Sequence, residues 1–252
     1  MCQYTARRRN VPRIPRMTAP HIGKEKQMSE KESLIISDTK TSDVSSFKSY
    51  EIKPETPHGG KVYIFFKRFF DILVSLSAFL ILFIPMFLIG IAVKLTSKGP
   101  VLFSQERLGI GGKPFTIFKF RTMRIDAEAN GPQWARENDD RCTKLGRVLR
   151  KTRLDELPQL WNILIGDMSF VGPRPERKFF YDKFETYIHG FSNRLAVKPG
   201  LTGLAQINGG YSLAPEEKVV YDMEYIRTQT IWLDTKLMFK TIRLFFTQEG
   251  AR

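Results

Sequence analysis

KRFFDILVSLSAFLILFIPMFLIGIAVKLTSKG, residues 67–99, dictates where the rest of the chain must lie. No charge interrupts it from Ile72 to Val93, a run longer than the roughly 20 apolar residues a helix needs to cross a bilayer. Two features oppose a simple crossing. Pro85, past the middle, removes a backbone hydrogen bond and bends a helix. Basic residues flank both ends, Lys61, Lys67 and Arg68 before and Lys94, Lys98 and Arg107 after, and basic flanks favour the cytoplasmic face. A helix that enters the membrane, bends at Pro85 and returns to the same side satisfies both ends. A spanning helix and a buried core helix are the alternatives, but a core helix this uniformly apolar is rare in a chain of this size.

Upstream, residues 1–60 are polar and breaker-rich, from ARRRNVPRIPR to KPETPHGG, and read as a disordered basic tail. No apolar region follows the arginines, so a secretory signal is not expected. The boundaries that follow are a tail over 1–60, a membrane helix over 61–98 and a soluble domain over 99–252. A net charge of +14 calls for an anionic partner: a nucleic acid, an acidic membrane surface or a phosphorylated substrate. Cys2 and Cys142 are the only cysteines, too far apart to suggest a disulfide framework or a structural zinc site.

Downstream, VLFSQERLGIGGKPFTIFKFRTM reads as strand, glycine turn, strand. Its Gly112-Lys113 is not a P-loop, because Pro114 replaces the hydroxyl residue and Arg107 stands where the first glycine belongs. DAEANGPQWARENDDR predicts a polar helix-loop segment. Near the C-terminus, Trp232, Leu233, Leu237, Phe239 and Phe245 alternate with Lys236, Lys240 and Arg243 at roughly helical spacing. That pattern suits either an amphipathic helix at a membrane interface or one packed on the domain core.

The chemistry concentrates in LRKTRLDELPQLWNIL, residues 149–164, where Asp155 and Glu156 follow Arg150, Lys151 and Arg153. With Pro158 in a first helical turn, Asp155 falls near an N-cap and the helix runs to about Ile165, stopped by Gly166. A cap is thus the plain reading of Asp155. The surroundings offer another. Pro173 and Pro175 fix the backbone around Arg174, which suits a bidentate grip on phosphate, and Lys119, Arg121, Arg194 and Lys198 add further positive charge as candidate phosphate-binding residues. A carboxylate among so many cations stays ionised and is able to hold Mg²⁺ or attack phosphorus.

Three stretches, RKTRLDELPQLWNILIGDMSFVGPRPE, KLTSKGPVLFSQERLGIGGKPFTIFKFRTM and VKPGLTGLAQINGG, resemble the monotopic phosphoglycosyl transferases of the bacterial sugar transferase family, in order and at the family's spacing. The resemblance runs from about Lys67 to the C-terminus and fits the family's short form. It implies an α+β, predominantly helical fold, with a re-entrant membrane helix and amphipathic interfacial helices around a small cytoplasmic catalytic domain. It also implies transfer of a sugar-1-phosphate from a UDP-sugar to polyprenol phosphate with Mg²⁺, at the cytoplasmic face of the bacterial inner membrane. Asp155 is implied as the nucleophile, Glu156 as its partner in metal positioning or proton handling, and Arg150 and Arg174 as phosphate grips. Membrane lipid and a second copy of the chain are further expected partners, and nucleic acid is not. Two positions depart from the family: Ile84 stands before Pro85 where a serine is common, and Arg153 stands where many members have serine. A membrane-docked anion-binding scaffold, with Asp155 only a cap, is the competing reading. A nucleic-acid binder is suggested by charge alone and leaves the apolar segment unexplained.

Overall fold

The computed structural model describes residues 49–129, 131 and 139–247. The basic N-terminal cluster and half of the polar 126–141 segment fall outside those residues. The folded part begins earlier than the expected boundary at residue 60. Strand β1 (Tyr50–Glu51) pairs in parallel with a later strand, Ile188–His189, and Ile52 is buried in the main core.

Helix α1 (Gly60–Thr96) is 37 residues long and continuous through Pro85, or about 55 Å at 1.5 Å per residue. Leu80, Ile81 and Ile84 lie open to the surroundings, while Tyr63, Asp71, Ser75 and Val93 are buried. Both ends therefore dock on the same domain. At the first end, Lys67 donates to the Val171 carbonyl (2.9 Å) and to Asp234 (2.7 Å), and Tyr63 also donates to Asp234 (2.9 Å). Asp71 accepts from Ser169 Oγ and the Phe170 amide, both at 3.0 Å. Toward the other end, Met86, Ile89 and Val93 pack with Phe120 and Leu149.

Strands β2 (Leu102–Leu108) and β3 (Pro114–Phe120) form the expected antiparallel hairpin, with Leu102 opposite Phe120 and Leu108 opposite Pro114. Gly111 (φ 64°) and Gly112 (φ 75°) supply the left-handed backbone that closes it. Helix α2 (Lys144–Lys151) is capped by Thr143, whose hydroxyl accepts from the Gly146 amide at 2.9 Å. Gly146 sits so close to the hairpin's exit that an added Cβ would lie 1.9 Å from the Thr122 carbonyl oxygen. Gly146→Ala should therefore lower stability by about 1–3 kcal/mol, the usual cost of overpacking, and a thermal melt would read it.

After α2 come a 3₁₀ turn (Leu154–Glu156) and helix α3 (Gln159–Ile165). Strand β4 (Ser169–Val171), helix α4 (Lys178–Glu185), strand β5 (Ile188–His189) and a 3₁₀ segment (Phe191–Ala196) follow. Strand β6 (Gly200–Thr202) lies parallel to β4, with Ser169 opposite Gly200 and Val171 opposite Thr202. A short helix α5 (Leu204–Ile207) leads to α6 (Pro215–Thr228) and α7 (Ile231–Thr247). The architecture is predominantly helical, with its strands in three two-stranded pairs among the described residues. The main core gathers Phe180, Phe184, Phe191, Val219, Met223 and Leu237; burying each such side chain stabilises by roughly 1.5–3 kcal/mol. The C-terminal pattern from Trp232 onward folds as the single helix α7. Within α7, Leu237 is buried while Trp232, Phe239 and Ile242 remain exposed, so one face packs on the core and the other is left apolar and open.

Candidate active site

The segment that reads from sequence as one helix folds as two. Pro158 is the N-cap of α3 and offers no side-chain cap, and the preceding 3₁₀ turn has Arg153 at its own N-cap. Asp155 thus caps nothing, which removes the plain reading of that residue. The turn is aimed by Arg153, the only non-glycine with positive φ (56°) among the described residues. Such backbone is costly for a residue with a Cβ and tends to occur where function demands it.

Three devices hold the turn. Asn162, fully buried on α3, donates to the Thr116 carbonyl (2.7 Å) and accepts from the Phe118 amide (3.2 Å), fixing the helix to the edge of β3. At the far end of α3, Gly166 (φ 98°) closes the helix, and Arg68 of α1 donates to the carbonyls of Ile163 (2.6 Å) and Leu164 (2.7 Å). An arginine on a helix C-terminus satisfies free carbonyls and complements the dipole, so α1 is clamped directly to the helix that follows the turn carrying the acids. Thirdly, Leu154 and Leu157 pack into the cluster of Phe120, Leu149 and Val93.

The two acids end up in opposite electrostatic states. Lys119 Nζ donates to Glu156 Oε1 at 2.9 Å, and Arg174 grips both carboxylate oxygens. Burial works against the charged form of Glu156, but Arg174 and Lys119 outweigh it and hold the carboxyl far below the usual carboxylate range. Asp155 is as deeply buried, at 7% exposure, and has no ion pair among the described residues. Burial therefore pushes its carboxyl up to about 6, against the pull of Lys119 and with the push of Glu156. Two adjacent acids whose environments separate their pKa values mark a site where one holds charge and the other acts. If Asp155 acts as a carboxylate, activity must rise as pH climbs through about 6, and a pH–rate profile of donor consumption checks this.

Arg174 is held where the prolines predict. The carbonyls of Pro173, Arg174 and Pro175 accept from the Gly200 amide (2.9 Å), Arg194 Nη2 (3.0 Å) and Arg107 Nη1 (3.2 Å). Arg150 lies near enough to lower the Asp155 carboxyl and donates to Cys142 Sγ at 3.0 Å. Lys119, Arg150 and Arg174 are thus gathered around the acids. The other three expected cations are engaged elsewhere. Arg121 donates to the carbonyls of Pro100 and Ser97, at the C-terminus of α1. Arg194 is buried in an ion pair with Asp222 (2.5 Å) and acts on the site through the Arg174 backbone. Lys198 lies by Arg68 and Gly166, at the end of α3 away from the acids.

Arg68, Asp71, Arg107, Asn162 and Asp222 carry no site role in the sequence, where Arg68 and Arg107 stand only as basic flanks of the apolar run. Asn162, a polar residue inside the apolar run WNIL, was the visible signal. Gln159 was passed over as well: it is fully buried, and both amide atoms lack a partner among the described residues, a cost of about 1–3 kcal/mol per group that a bound ligand or water would relieve.

Residues 62–248 match the family described as bacterial sugar transferase. The chain is 44% identical over 195 residues to the UDP-N-acetylgalactosamine-undecaprenyl-phosphate N-acetylgalactosaminephosphotransferase of Aeromonas hydrophila, covering 76% of this chain and 46% of that protein. It is 47% identical over 192 residues to the UDP-glucose:undecaprenyl-phosphate glucose-1-phosphate transferase of Klebsiella pneumoniae, covering 74% and 41%. With the protein of the same description from Caulobacter vibrioides it shares 41% over 191 residues, covering 73% and 71%. The chain spans less than half the length of the first two relatives.

Proposed function

We propose, from the premise that the chain belongs to the bacterial sugar transferase family, that it transfers a sugar-1-phosphate from a UDP-sugar to polyprenol phosphate, the priming step of exopolysaccharide, capsule or glycan assembly. The observation that carries this reading is the acid pair in opposite states: Asp155 raised and without an ion pair among the described residues, Glu156 locked between Lys119 and Arg174.

The proposed chemistry uses the two acids in different roles. An oxygen of the Asp155 carboxylate attacks the β-phosphorus of the donor. The bond to the bridging oxygen breaks, UMP leaves with that oxygen, and the sugar phosphate remains on Asp155 as an acyl phosphate. The phosphate oxygen of polyprenol phosphate then attacks the same phosphorus. That step releases polyprenyl diphospho-sugar and restores the carboxylate. Arg174, Lys119 and Arg150 supply the positive charge that phosphoryl transfer requires, and Glu156 orients the first two. Asp155, which has no ion pair among the described residues, would hold Mg²⁺ together with substrate phosphates, a usual ligand set for that ion, and the metal would supply charge neutralisation when bound. Glu156, already carrying two cations, orients the site rather than filling a coordination position.

The placement of α1 supports a monotopic seat. Both ends of the helix pack on one domain, and a single domain does not lie on both sides of a bilayer, so the open middle of α1 dips into the membrane and both basic flanks face the cytoplasm. The exposed Trp232 and Phe239 of α7, beside exposed Lys236, Lys240 and Arg243, rest at the same interface. Single cysteines at positions 61 and 98 should both react with an impermeant thiol reagent in inside-out vesicles and neither in intact cells. Labelling on opposite sides would mean a spanning helix.

The decisive experiment is a mass spectrum of the protein in detergent with Mg²⁺ and a panel of UDP-sugars, without lipid. A sugar-phosphate adduct on the Asp155 peptide identifies both mechanism and sugar. No adduct with any donor, and no UMP on adding polyprenol phosphate, would end the transferase reading.

A further inference from the structure

Lys67, Arg68 and Asp71 stand close together on α1, just before the helix becomes uniformly apolar. A buried charge is costly unless it is paired or hydrogen-bonded, and Asp71 is buried. What these side chains hold is therefore informative. Arg68 donates to the carbonyls of Ile163 (2.6 Å) and Leu164 (2.7 Å), and Asp71 accepts from Ser169 Oγ and the Phe170 amide, both at 3.0 Å. Lys67 adds its bond to the Val171 carbonyl at 2.9 Å. Every one of these partners lies in residues 163–171, the stretch that runs from the end of α3 through β4.

That stretch is the middle of a loop closed by the site itself. Glu156 lies upstream and Arg174 downstream, 18 residues apart, and the two meet as an ion pair. We infer that Arg68 and Asp71 are positioning residues for sugar-phosphate transfer: by holding the middle of this loop on α1, they bring Glu156 and Arg174 together and fix the geometry around Asp155. The inference rests on the transferase reading of the acid pair. Two features favour it over a plain anchor. Closing a loop costs less entropy when less of it is free, and here α3 fills most of the upstream interval while β4 ends three residues before Arg174. An anchor also exists elsewhere, because Tyr63 and Lys67 both donate to Asp234 on α7, whereas every side-chain hydrogen bond of Arg68 and Asp71 among the described residues ends on the loop.

Asp71→Ala and Arg68→Met should each slow UMP release without lipid acceptor by about 10- to 100-fold, since a displacement of ~1 Å at a reacting centre costs on the order of 10²-fold. Asp71→Asn keeps an oxygen able to accept both bonds and should retain most of the rate. Tyr63→Phe, which loses a bond to Asp234 and none to the loop, should release UMP as the wild type does. Arg174→Lys loses the two-pronged grip on Glu156, so adding Asp71→Ala to it should cost less than threefold more. Fully multiplicative effects in that double variant, or a Tyr63→Phe enzyme as slow as Asp71→Ala, would make the turn a plain anchor and overturn the inference. If Asp71→Ala does not fold, Ser169→Ala removes only one of its bonds and should show the same pattern at severalfold size. Hydrogen exchange judges the point without turnover. With no donor present, the amides of residues 153–157 should exchange faster in Asp71→Ala and Arg68→Met while those of α6 keep their protection; unchanged exchange at 153–157 in both variants would equally overturn it. A wild type that releases no UMP from any donor would count against the transferase reading instead, with the exchange result still deciding whether Arg68 and Asp71 hold the acid turn.

Discussion

Asp155→Asn should reduce sugar-phosphate transfer by roughly 10⁴-fold or more, the scale on which enzymes lose activity when a nucleophile is removed, and should leave the fold at least as stable as the wild type. The first half follows from the unpaired carboxylate that faces Lys119, Arg150 and Arg174. The second follows from linkage. The folded-state pKa of Asp155 is raised to about 6, above the unfolded value near 3.9. Stability associated with this group is therefore fully present below the unfolded value and is lost as pH rises through about 6. At pH 8 the ionised, desolvated carboxylate is a net cost to the fold that asparagine removes. A melt at pH 8 should place the variant at or above the wild type, with the gap narrowing toward pH 4. A large drop in melting temperature at pH 8 would mean that Asp155 is structural.

Arg194→Met should have the opposite profile, losing stability first. Arg194 and Asp222 are 3% and 1% exposed and 2.5 Å apart, and removing one member leaves an uncompensated buried charge. Breaking such a pair costs about 3–5 kcal/mol, a fall of roughly 6–20 °C for a domain of this size. Because Arg194 also holds the Arg174 carbonyl at 3.0 Å, activity should fall with stability, and the double variant Arg194→Met, Asp222→Leu should recover the melt more than the rate. Arg174→Ala gives the contrast: activity lost through the phosphate grip, with little change in the melt, since Arg174 is partly exposed and Lys119 still holds Glu156. An Arg194→Met enzyme that melts normally but binds donor poorly would return Arg194 to the role of a phosphate ligand.

These two arginines show how far the site was legible. Both stand in basic, loop-like sequence, and both read as phosphate grips. Their difference lies in what folds against them: Glu156 faces Arg174 from 18 residues away, while Asp222 neutralises Arg194 from the next-but-one helix. No local pattern contains that information. Arg121 misleads in the same way, since its value to the fold comes from the carbonyls at the end of α1, which only the chain's return path brings within reach.

What the sequence by itself determined is whatever rests on local chemistry. An uninterrupted apolar run has to leave water, a glycine turn between alternating strands closes a hairpin, two prolines stiffen Arg174, and two acids stand side by side among cations. What only the tertiary structure decided is which acid is ion-paired among the described residues and which is not, which cations face the pair, and that the long apolar helix α1 grips α3 through Arg68. Those depend on burial and on partners far apart in the chain. A carboxylate's charge state and an arginine's role are properties of the surrounding dielectric and counter-charges, and these exist only once the chain has folded.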